Sequence, residues 1–193
     1  MKPHFWRPPV LSTERVTLRP FVNEDAEALF EYAKNPNVTR FTLWDAHQTV
    51  ADTNTFIRDY AVLRYMEGMP EPYAITLNPA PQPVGACGCF WAAEPHRTME
   101  LGYWIGEPFW GKGYVAEACR AVLGLAFAEF GPERMQARVI DGNAASGRVL
   151  EKLGFRYEGT LRRALLRRGR FEDVRMYSLT REEWGRDQKP EIT

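Results

Sequence analysis

The pattern of apolar and polar positions along the chain predicts seven strands and four helices. The strands alternate apolar and polar residues between turn-forming segments, and they are expected at 15–20, 73–77, 84–91, 99–105, 135–140, 155–157 and 173–179. Apolar residues recur at helical spacing elsewhere, and helices are expected after a cap at Asn23 and over 49–65, 114–130 and 144–153.

The order of these elements predicts an α/β (α+β) fold. Strand, helix and strand follow one another over 99–140, which implies one parallel pair in a sheet whose other connections suit antiparallel hairpins. We find no repeat or linker, so one domain over 1–193 is expected, with an N-terminal arm at 1–10 and a flexible tail at 185–193.

Composition excludes several classes of partner. Of the 193 residues, 45% are apolar and 26% charged, and the formal net charge is +0, so no general field favours DNA or a membrane surface. No apolar run could span a bilayer, and the start of the chain lacks the apolar stretch of a secretory signal. We therefore expect a cytoplasmic protein with no membrane partner and no direct DNA binding.

Cysteine and histidine residues give no indication of a metal site. The three cysteines are too few for a disulfide framework, and Cys87 and Cys89 alternate in an apolar strand with no second Cys/His pair. The three histidines, His4, His47 and His96, are scattered singly. No bound metal is expected.

The segment 106–114, between a predicted strand and the long helix, has the composition of a phosphate-binding turn. Its glycines, Gly111 and Gly113, allow backbone N–H groups to converge, and the dipole of the following helix adds partial positive charge. A tight turn without a ligand is the structural alternative. A Walker A loop is the other, but Gly113 stands where a hydroxyl would hold magnesium.

A second motif accompanies this turn at residues 141–155, Asp-Gly-Asn-Ala-Ala-Ser-Gly-Arg-Val-Leu-Glu-Lys-Leu-Gly-Phe. It resembles the segment N-x-x-S-x-x-V-L-E-K-x-G-F of the GNAT superfamily of N-acetyltransferases, most closely in the ribosomal-protein alanine N-acetyltransferase branch. The turn is similar to that family's Q/R-x-x-G-x-G/A loop, with Pro108 in place of the leading Gln or Arg. The resemblance extends over roughly residues 11 to 184.

The resemblance implies the acyl-CoA N-acyltransferase fold, a mostly antiparallel seven-stranded sheet with helices on both faces and a splayed parallel pair that forms a cleft. Acetyl-coenzyme A would bind there, with its pantetheine arm along Tyr103, Trp104 and Ile105. The pyrophosphate would lie on the turn formed by Trp110, Gly111, Lys112, Gly113 and Tyr114. Asn143 would cap the next helix and bond the cofactor, and Ser146 would also contact it.

Acetyl transfer to an amine requires a base and a proton for the departing thiolate. Glu100, on the strand that lines the expected cleft, is the candidate base, and an ion pair with a neighbouring strand is its alternative role. Ser146 is the candidate proton donor, because Leu150 occupies the position where many family members have a tyrosine. A hydroxyl bonded to the preceding helical turn is the alternative for Ser146.

The expected acceptor is a primary amine, most specifically the α-amine of a ribosomal protein's N-terminal Ala or Ser. Small-molecule amines, a non-catalytic acyl-CoA-binding module and, more remotely, a nucleotidase are the alternatives. Trp44 could wall an acceptor pocket. The arginines at 162, 163, 167, 168 and 170 indicate either a solvated loop or a guide for an acidic acceptor or RNA. No sequence feature requires a homodimer, which stays an open alternative.

Overall fold

Eight strands and seven α-helices make up most of the computed structural model, which describes residues 8–187. The strands are β1 (Leu11–Ser12), β2 (Val16–Pro20), β3 (Tyr73–Leu77), β4 (Pro83–Ala93), β5 (Thr98–Ile105), β6 (Arg134–Ile140), β7 (Arg156–Arg167) and β8 (Arg170–Thr180). The helices are α1 (Ala26–Ala33), α2 (Pro36–Thr39), α3 (Val50–Thr55), α4 (Val62–Met66), α5 (Tyr114–Leu125), α6 (Ala144–Lys152) and α7 (Arg181–Asp187). Two π-helical segments, Phe56–Ala61 and Ala126–Phe130, continue α3 and α5.

The chain divides into two compact units, one with residues up to 90 and 102–124, the other with residues 91–101 and 125 onwards. In the first unit neighbouring strands follow the order β1–β2–β3–β4–β5, and in the second the order β4–β5–β6–β8–β7. The pair β5–β6 is parallel, as predicted, while the pairs β1–β2, β2–β3, β3–β4, β6–β8 and β7–β8 are antiparallel. The mixed sheet is confirmed, and the short strand β1 adds one strand to the seven expected.

The first unit builds its core from one face of β2 to β4 and the helices that follow β2. Ala26 and Leu29 of α1 pack with Ile57, Ala74 and Ala86 in one buried cluster. The predicted cap at Asn23 is wrong, because Asn23 begins a short 3₁₀ turn that precedes α1. Asp25 closes this turn instead: its Oδ2 atom accepts hydrogen bonds from the Val22 N–H at 3.0 Å and from Arg19 at 2.7 Å.

In the second unit, β6 alternates as the sequence predicts, and Met135, Ala137 and Val139 are buried. The two last strands are longer than predicted, because β7 continues to Arg167 and β8 begins at Arg170. Exposed side chains line most of β7, so the strand lacks the apolar alternation on which the prediction relied. Backbone pairing to β8 holds it, and the two-residue turn has Arg168 at φ 48° and Gly169 at φ 74°.

The chain ends differ from the prediction in part. Residues 1–7 of the predicted arm and 188–193 of the predicted tail lie outside the described residues. Residues 185–187, also assigned to the tail, end helix α7. No helix among residues 8–187 is long and apolar enough to cross a membrane. The expectation of one domain over 1–193 stays a prediction.

Gly85 of β4 allows a close approach to β5 in the first unit. A Cβ atom at this position would lie 2.7 Å from the Cα of Ile105 and closer still to the carbonyl oxygen of Trp104. Both obstacles are backbone atoms, which cannot rotate away as a flexible side chain would. The Gly106 N–H donates to the Val84 carbonyl at 2.8 Å, which fixes the two strands at this separation.

We expect Gly85→Ala to lower the free energy of unfolding by about 1–3 kcal/mol, because the methyl group forces β4 and β5 apart. Gly102→Ala is the matched control on β5, since a Cβ atom there meets nothing within 4 Å. Its effect should stay within about 0.5 kcal/mol. Urea unfolding of both variants measures the difference, and equal stability of the two would contradict the close approach.

Candidate functional site

The turn between β5 and α5 lies in the first unit and presents backbone N–H groups to solvent. Gly111 and Gly113 have φ angles of +74° and +84°, a region that residues with a Cβ atom rarely adopt. A Cβ atom on Gly111 would meet nothing within 4 Å, so conformation rather than space requires glycine there. The N–H groups of Gly111 and Gly113 donate to no partner within residues 8–187. Helix α5 follows at once, and its N-terminal end favours an anion.

Trp110 fixes the beginning of this turn against β5. Its indole Nε1–H donates to the carbonyl oxygen of Ile105 at 2.9 Å, which brings two predicted site residues together. Its backbone N–H donates to the Glu107 carbonyl at 3.1 Å. Trp110 therefore anchors the turn. That its N–H also helps to hold the phosphates stays a prediction, as it does for Gly111, Lys112, Gly113 and Tyr114.

Lys112 contributes a carbonyl group and an exposed cation to the turn. Its ammonium lies 5.9 Å from the centre of the Phe109 ring, which keeps the charge beside the turn. Its carbonyl oxygen accepts a hydrogen bond from Nη1 of Arg15 at 3.1 Å. Sequence reasoning missed Arg15, because it lies 97 residues earlier in the chain and belongs to no local motif.

Tyr103 and Trp104 continue β5 beyond the residues that pair with β6. The parallel register with β6 joins Thr98 to Arg134, Met99 to Met135 and Glu100 to Gln136. Tyr103 and Trp104, both half-buried, follow this paired part on the strand, where the pantetheine arm was predicted. The position suits an added extended chain, and contact with the cofactor stays a prediction.

Trp44 is tied to Trp104 within the first unit. The two rings lie edge to face with their centres 5.3 Å apart, and Trp44 is also 5.3 Å from the His47 ring. Burial lowers the pKa of His47 below its ordinary value, although the nearby Asp52 opposes this. These contacts give Trp44 a fixed, half-buried ring. Its role as a wall of an acceptor pocket stays a prediction.

Glu100 lies in the second unit as a buried carboxylate with two partners. Only 7% of the residue is exposed. Its Oε1 atom accepts from Nε of Arg138 at 2.7 Å, and Oε2 accepts from Nε2 of Gln136 at 2.9 Å. The ion pair with a neighbouring strand is thus present. Each carboxylate oxygen has a second lone pair, so the pairing still leaves acceptor capacity for a water molecule.

Asn143 and Ser146 form the N-terminal cap of α6. The Oδ1 atom of Asn143 accepts from the Ser146 backbone N–H at 3.2 Å, so the predicted cap is confirmed. This bond uses the backbone N–H of Ser146. Sequence reasoning missed Tyr177 of β8, whose hydroxyl oxygen would lie 2.8 Å from a Cβ atom on Gly147. Leu150 is fully buried in the core.

The predicted arginine-rich loop is a hairpin of β7 and β8 rather than a loop. Its arginines at 162, 163, 168 and 170 are exposed, while Arg167 pairs with Glu172 at 3.2 Å. Exposed apolar side chains accompany them, namely Tyr157, Leu161, Leu166 and Phe171. The guanidinium of Arg163 lies 5.2 Å from the centre of the Phe171 ring. The hairpin therefore exposes both positively charged and apolar side chains.

The chain has a parallel strand pair, a glycine turn before a long helix and a capped α6, the features expected of an acyl-CoA-dependent transferase. Comparison with known proteins agrees, because the model of the acetyltransferase (GNAT) domain matches residues 15–156. The chain belongs to the GNAT family of acetyltransferases, which use acetyl-CoA as the acetyl donor. Within residues 8–187, no group of three or more His, Cys, Asp or Glu side chains could hold a metal ion.

Similar proteins include the uncharacterized N-acetyltransferase YoaA of Bacillus subtilis, which is 32% identical over 173 residues, 90% of this chain and 97% of its own. The putative ribosomal N-acetyltransferase YdaF of the same organism is 39% identical over 91 residues, 47% of this chain and 50% of its own. A GNAT-family acetyltransferase structure from Bacillus anthracis is 26% identical, with a TM-score of 0.80 over 90% of this chain and 99% of that one.

Proposed function

We propose that this acetyltransferase acts on the N-terminal α-amine of a protein, by direct transfer from acetyl-CoA in a ternary complex. The observation that carries the acceptor class is the exposed arginine-bearing hairpin of β7 and β8. β7 pairs with β8 from Arg156 opposite Ser178 to Arg167 opposite Arg170, and the matching stretch of β8 spans roughly 30 Å at the usual rise per residue, a length suited to a polypeptide rather than a small amine. The partial similarity to a putative ribosomal N-acetyltransferase supports the same class.

The charge of the hairpin indicates what this polypeptide contains. Five arginines stand at 162, 163, 167, 168 and 170 against the carboxylates of Glu172 and Asp173, in a chain of net charge +0. Opposite charge on the acceptor would speed its association and fix its orientation. We infer an acceptor with carboxylates near its first residue. The three cysteines of this acetyltransferase are free and buried, which supports a reducing cytoplasm as the location of the enzyme.

In the proposed donor site, N–H groups of residues 111–114 hold the pyrophosphate, Lys112 adds charge, and Tyr103 to Ile105 lie along the pantetheine arm. Acetyl-CoA supplies an acetyl thioester. The glycine conformations fit a phosphate, because both residues are exposed and their N–H groups lack a protein partner within residues 8–187. Asn143 would bond the cofactor arm in addition to its capping bond.

The proposed proton path uses Glu100 and Ser146. An α-amine has a pKa of about 7.7–8.0, so a large fraction is already neutral near pH 8 and a weak base suffices. Its nitrogen attacks the thioester carbonyl carbon, the carbon–sulfur bond breaks, and the amine proton passes through water to Glu100. The departing thiolate takes a proton from the Ser146 hydroxyl, which regains one from solvent.

The acceptor class is tested by release of free CoA thiol from acetyl-CoA across a panel of amines. The panel holds peptides that begin with Ala or Ser, followed by acidic or neutral residues, together with polyamines, amino acids and aminoglycosides. We expect turnover with the peptides, a higher kcat/KM for acidic ones, and a decline with added salt because the hairpin charges are screened. Turnover with small amines alone would contradict the proposal. CoA binding without any turnover would support a non-catalytic module instead.

Glu100→Gln should lower kcat for peptide acceptors by about two orders of magnitude or more, because the base is lost. Arg138→Gln is the matched control, since it breaks the same ion pair at 2.7 Å but keeps the carboxylate. A base role requires the first variant to be far slower than the second across pH. If both lose activity and stability equally, the ion pair is structural and Glu100 is not the base.

Ser146→Ala should lower kcat by roughly tenfold to a hundredfold, because the proposed proton donor is lost while the backbone N–H that bonds Asn143 is kept. Ser146→Thr keeps a hydroxyl and should recover most of the activity. Stopped-flow measurement of thiol release gives both rates. Unaltered turnover in Ser146→Ala, together with loss in Tyr177→Phe, would transfer the proton-donor role to Tyr177.

A further inference from the structure

Arg15 contacts the glycine turn from the segment that leads into β2. Its Nη1 donates to the Lys112 carbonyl at 3.1 Å, and its Nη2 would lie 3.4 Å from a Cβ atom on Gly113. The guanidinium carbon lies 5.0 Å from the centre of the Tyr114 ring. Arg15 thus contacts three consecutive residues of the turn.

Glu117, in the first turn of α5, holds this guanidinium in place. Its Oε2 accepts from Nε of Arg15 at 2.7 Å and forms an ion pair with Nη2 at 2.6 Å. Its Oε1 accepts from the Arg15 backbone N–H at 2.9 Å and from the Thr13 hydroxyl at 2.6 Å. Burial alone would raise the pKa of Glu117, but these hydrogen bonds outweigh it and lower that pKa below its ordinary value. The carboxylate therefore stays charged and fixes the arginine.

The hydrogen bond to Lys112 determines the direction of the next N–H group. In a planar trans peptide the C=O of one residue and the N–H of the next point in opposite directions. Because Arg15 holds the Lys112 carbonyl on its own side, the Gly113 N–H points to the other side. That N–H has no partner within residues 8–187. It is therefore a backbone donor whose orientation is fixed before any anion arrives.

We propose that Arg15 is a positioning residue for the cofactor's pyrophosphate, acting through the Lys112–Gly113 peptide and locked by Glu117. The inference rests on the proposed placement of the pyrophosphate on this turn. It accounts for the absence of an Arg or Gln at the head of the motif, where Pro108 stands. Arg15 already donates from Nε to Glu117 and from Nη1 to the Lys112 carbonyl, and its Nη2 is ion-paired with Glu117, which favours an indirect role over capture of phosphate by the guanidinium.

The experiment compares Arg15→Gln, Arg15→Lys and Glu117→Gln with a control, Arg186→Gln, which breaks an exposed ion pair with Glu182 outside the turn. Three quantities are measured: the Kd of CoA by calorimetry, kcat/KM with acetyl-CoA and with acetyl-pantetheine, and the unfolding midpoint without ligand. Acetyl-pantetheine has the same thioester but no pyrophosphate, so it does not use the turn.

We expect Arg15→Gln to weaken CoA binding about tenfold, the effect of one oriented hydrogen bond, while kcat/KM with acetyl-pantetheine stays within about twofold. Arg15→Lys should also bind CoA more weakly than the wild-type protein, because lysine has no planar group that can donate to Glu117 and to the Lys112 carbonyl at the same time. Glu117→Gln leaves Arg15 in the chain and should show the same selective loss.

If Arg15→Gln bound CoA with the affinity of the wild-type protein, the inference would be overturned. Wild-type affinity for CoA in Arg15→Lys would overturn it too, because a positive charge alone would then be enough. Equal loss with both thioesters would also overturn it, because a general folding defect affects both. If the unaltered protein uses acetyl-CoA and acetyl-pantetheine equally well, the pyrophosphate does not lie on this turn. That result alone would remove the proposed donor site, and the role of Arg15 with it.

Discussion

The reversal of the chain between β5 and α5 requires two backbone conformations that only glycine adopts without strain, and the donor site depends on that reversal. With Gly111 and Gly113 in the left-handed region, N–H groups face solvent at the start of a twelve-residue helix. Two side chains then hold the backbone of this turn in place. Trp110 donates to the Ile105 carbonyl, and Arg15 donates to the Lys112 carbonyl. An anion site made of N–H groups is neutral, so no isolated charge has to be buried before the ligand binds.

Charge is arranged differently around Glu100 in the second unit. Burying a carboxylate is costly unless its oxygens are hydrogen-bonded, and both oxygens of Glu100 have a partner, Arg138 for one and Gln136 for the other. All three residues lie on the neighbouring strands β5 and β6, and Gln136 stands opposite Glu100 in the parallel register. Because both oxygens already accept a hydrogen bond, a base at this position works most simply through a water molecule that uses a remaining lone pair.

The elements and residues that could be predicted from the sequence are those that depend on residues nearby in the chain. Apolar periodicity gave most strand and helix positions, and a local motif gave the glycine turn and the Asn143 cap. The Arg15–Glu117 pair could not be found this way, because 102 residues separate its members and neither stands in a motif. The length of β7 was missed for another reason: its side chains are mostly exposed, and pairing to β8 rather than burial holds it. The Asn23 prediction failed because Asp25 competes for the same turn, with Arg19 as its partner.

The same distinction explains why the donor is easier to infer than the acceptor. The proposed donor site is mostly backbone, and glycines at positive φ can be recognised in the sequence. The proposed acceptor surface consists of side chains on an exposed hairpin, where Arg163 and Arg168 themselves have φ angles of 51° and 48°. That conformation costs roughly 1–2 kcal/mol for a residue with a Cβ atom, and Gly or Asn would meet the same need at less cost. Arginine at these two positions keeps positive charge on the exposed hairpin, which fits the proposed contact with an acidic acceptor.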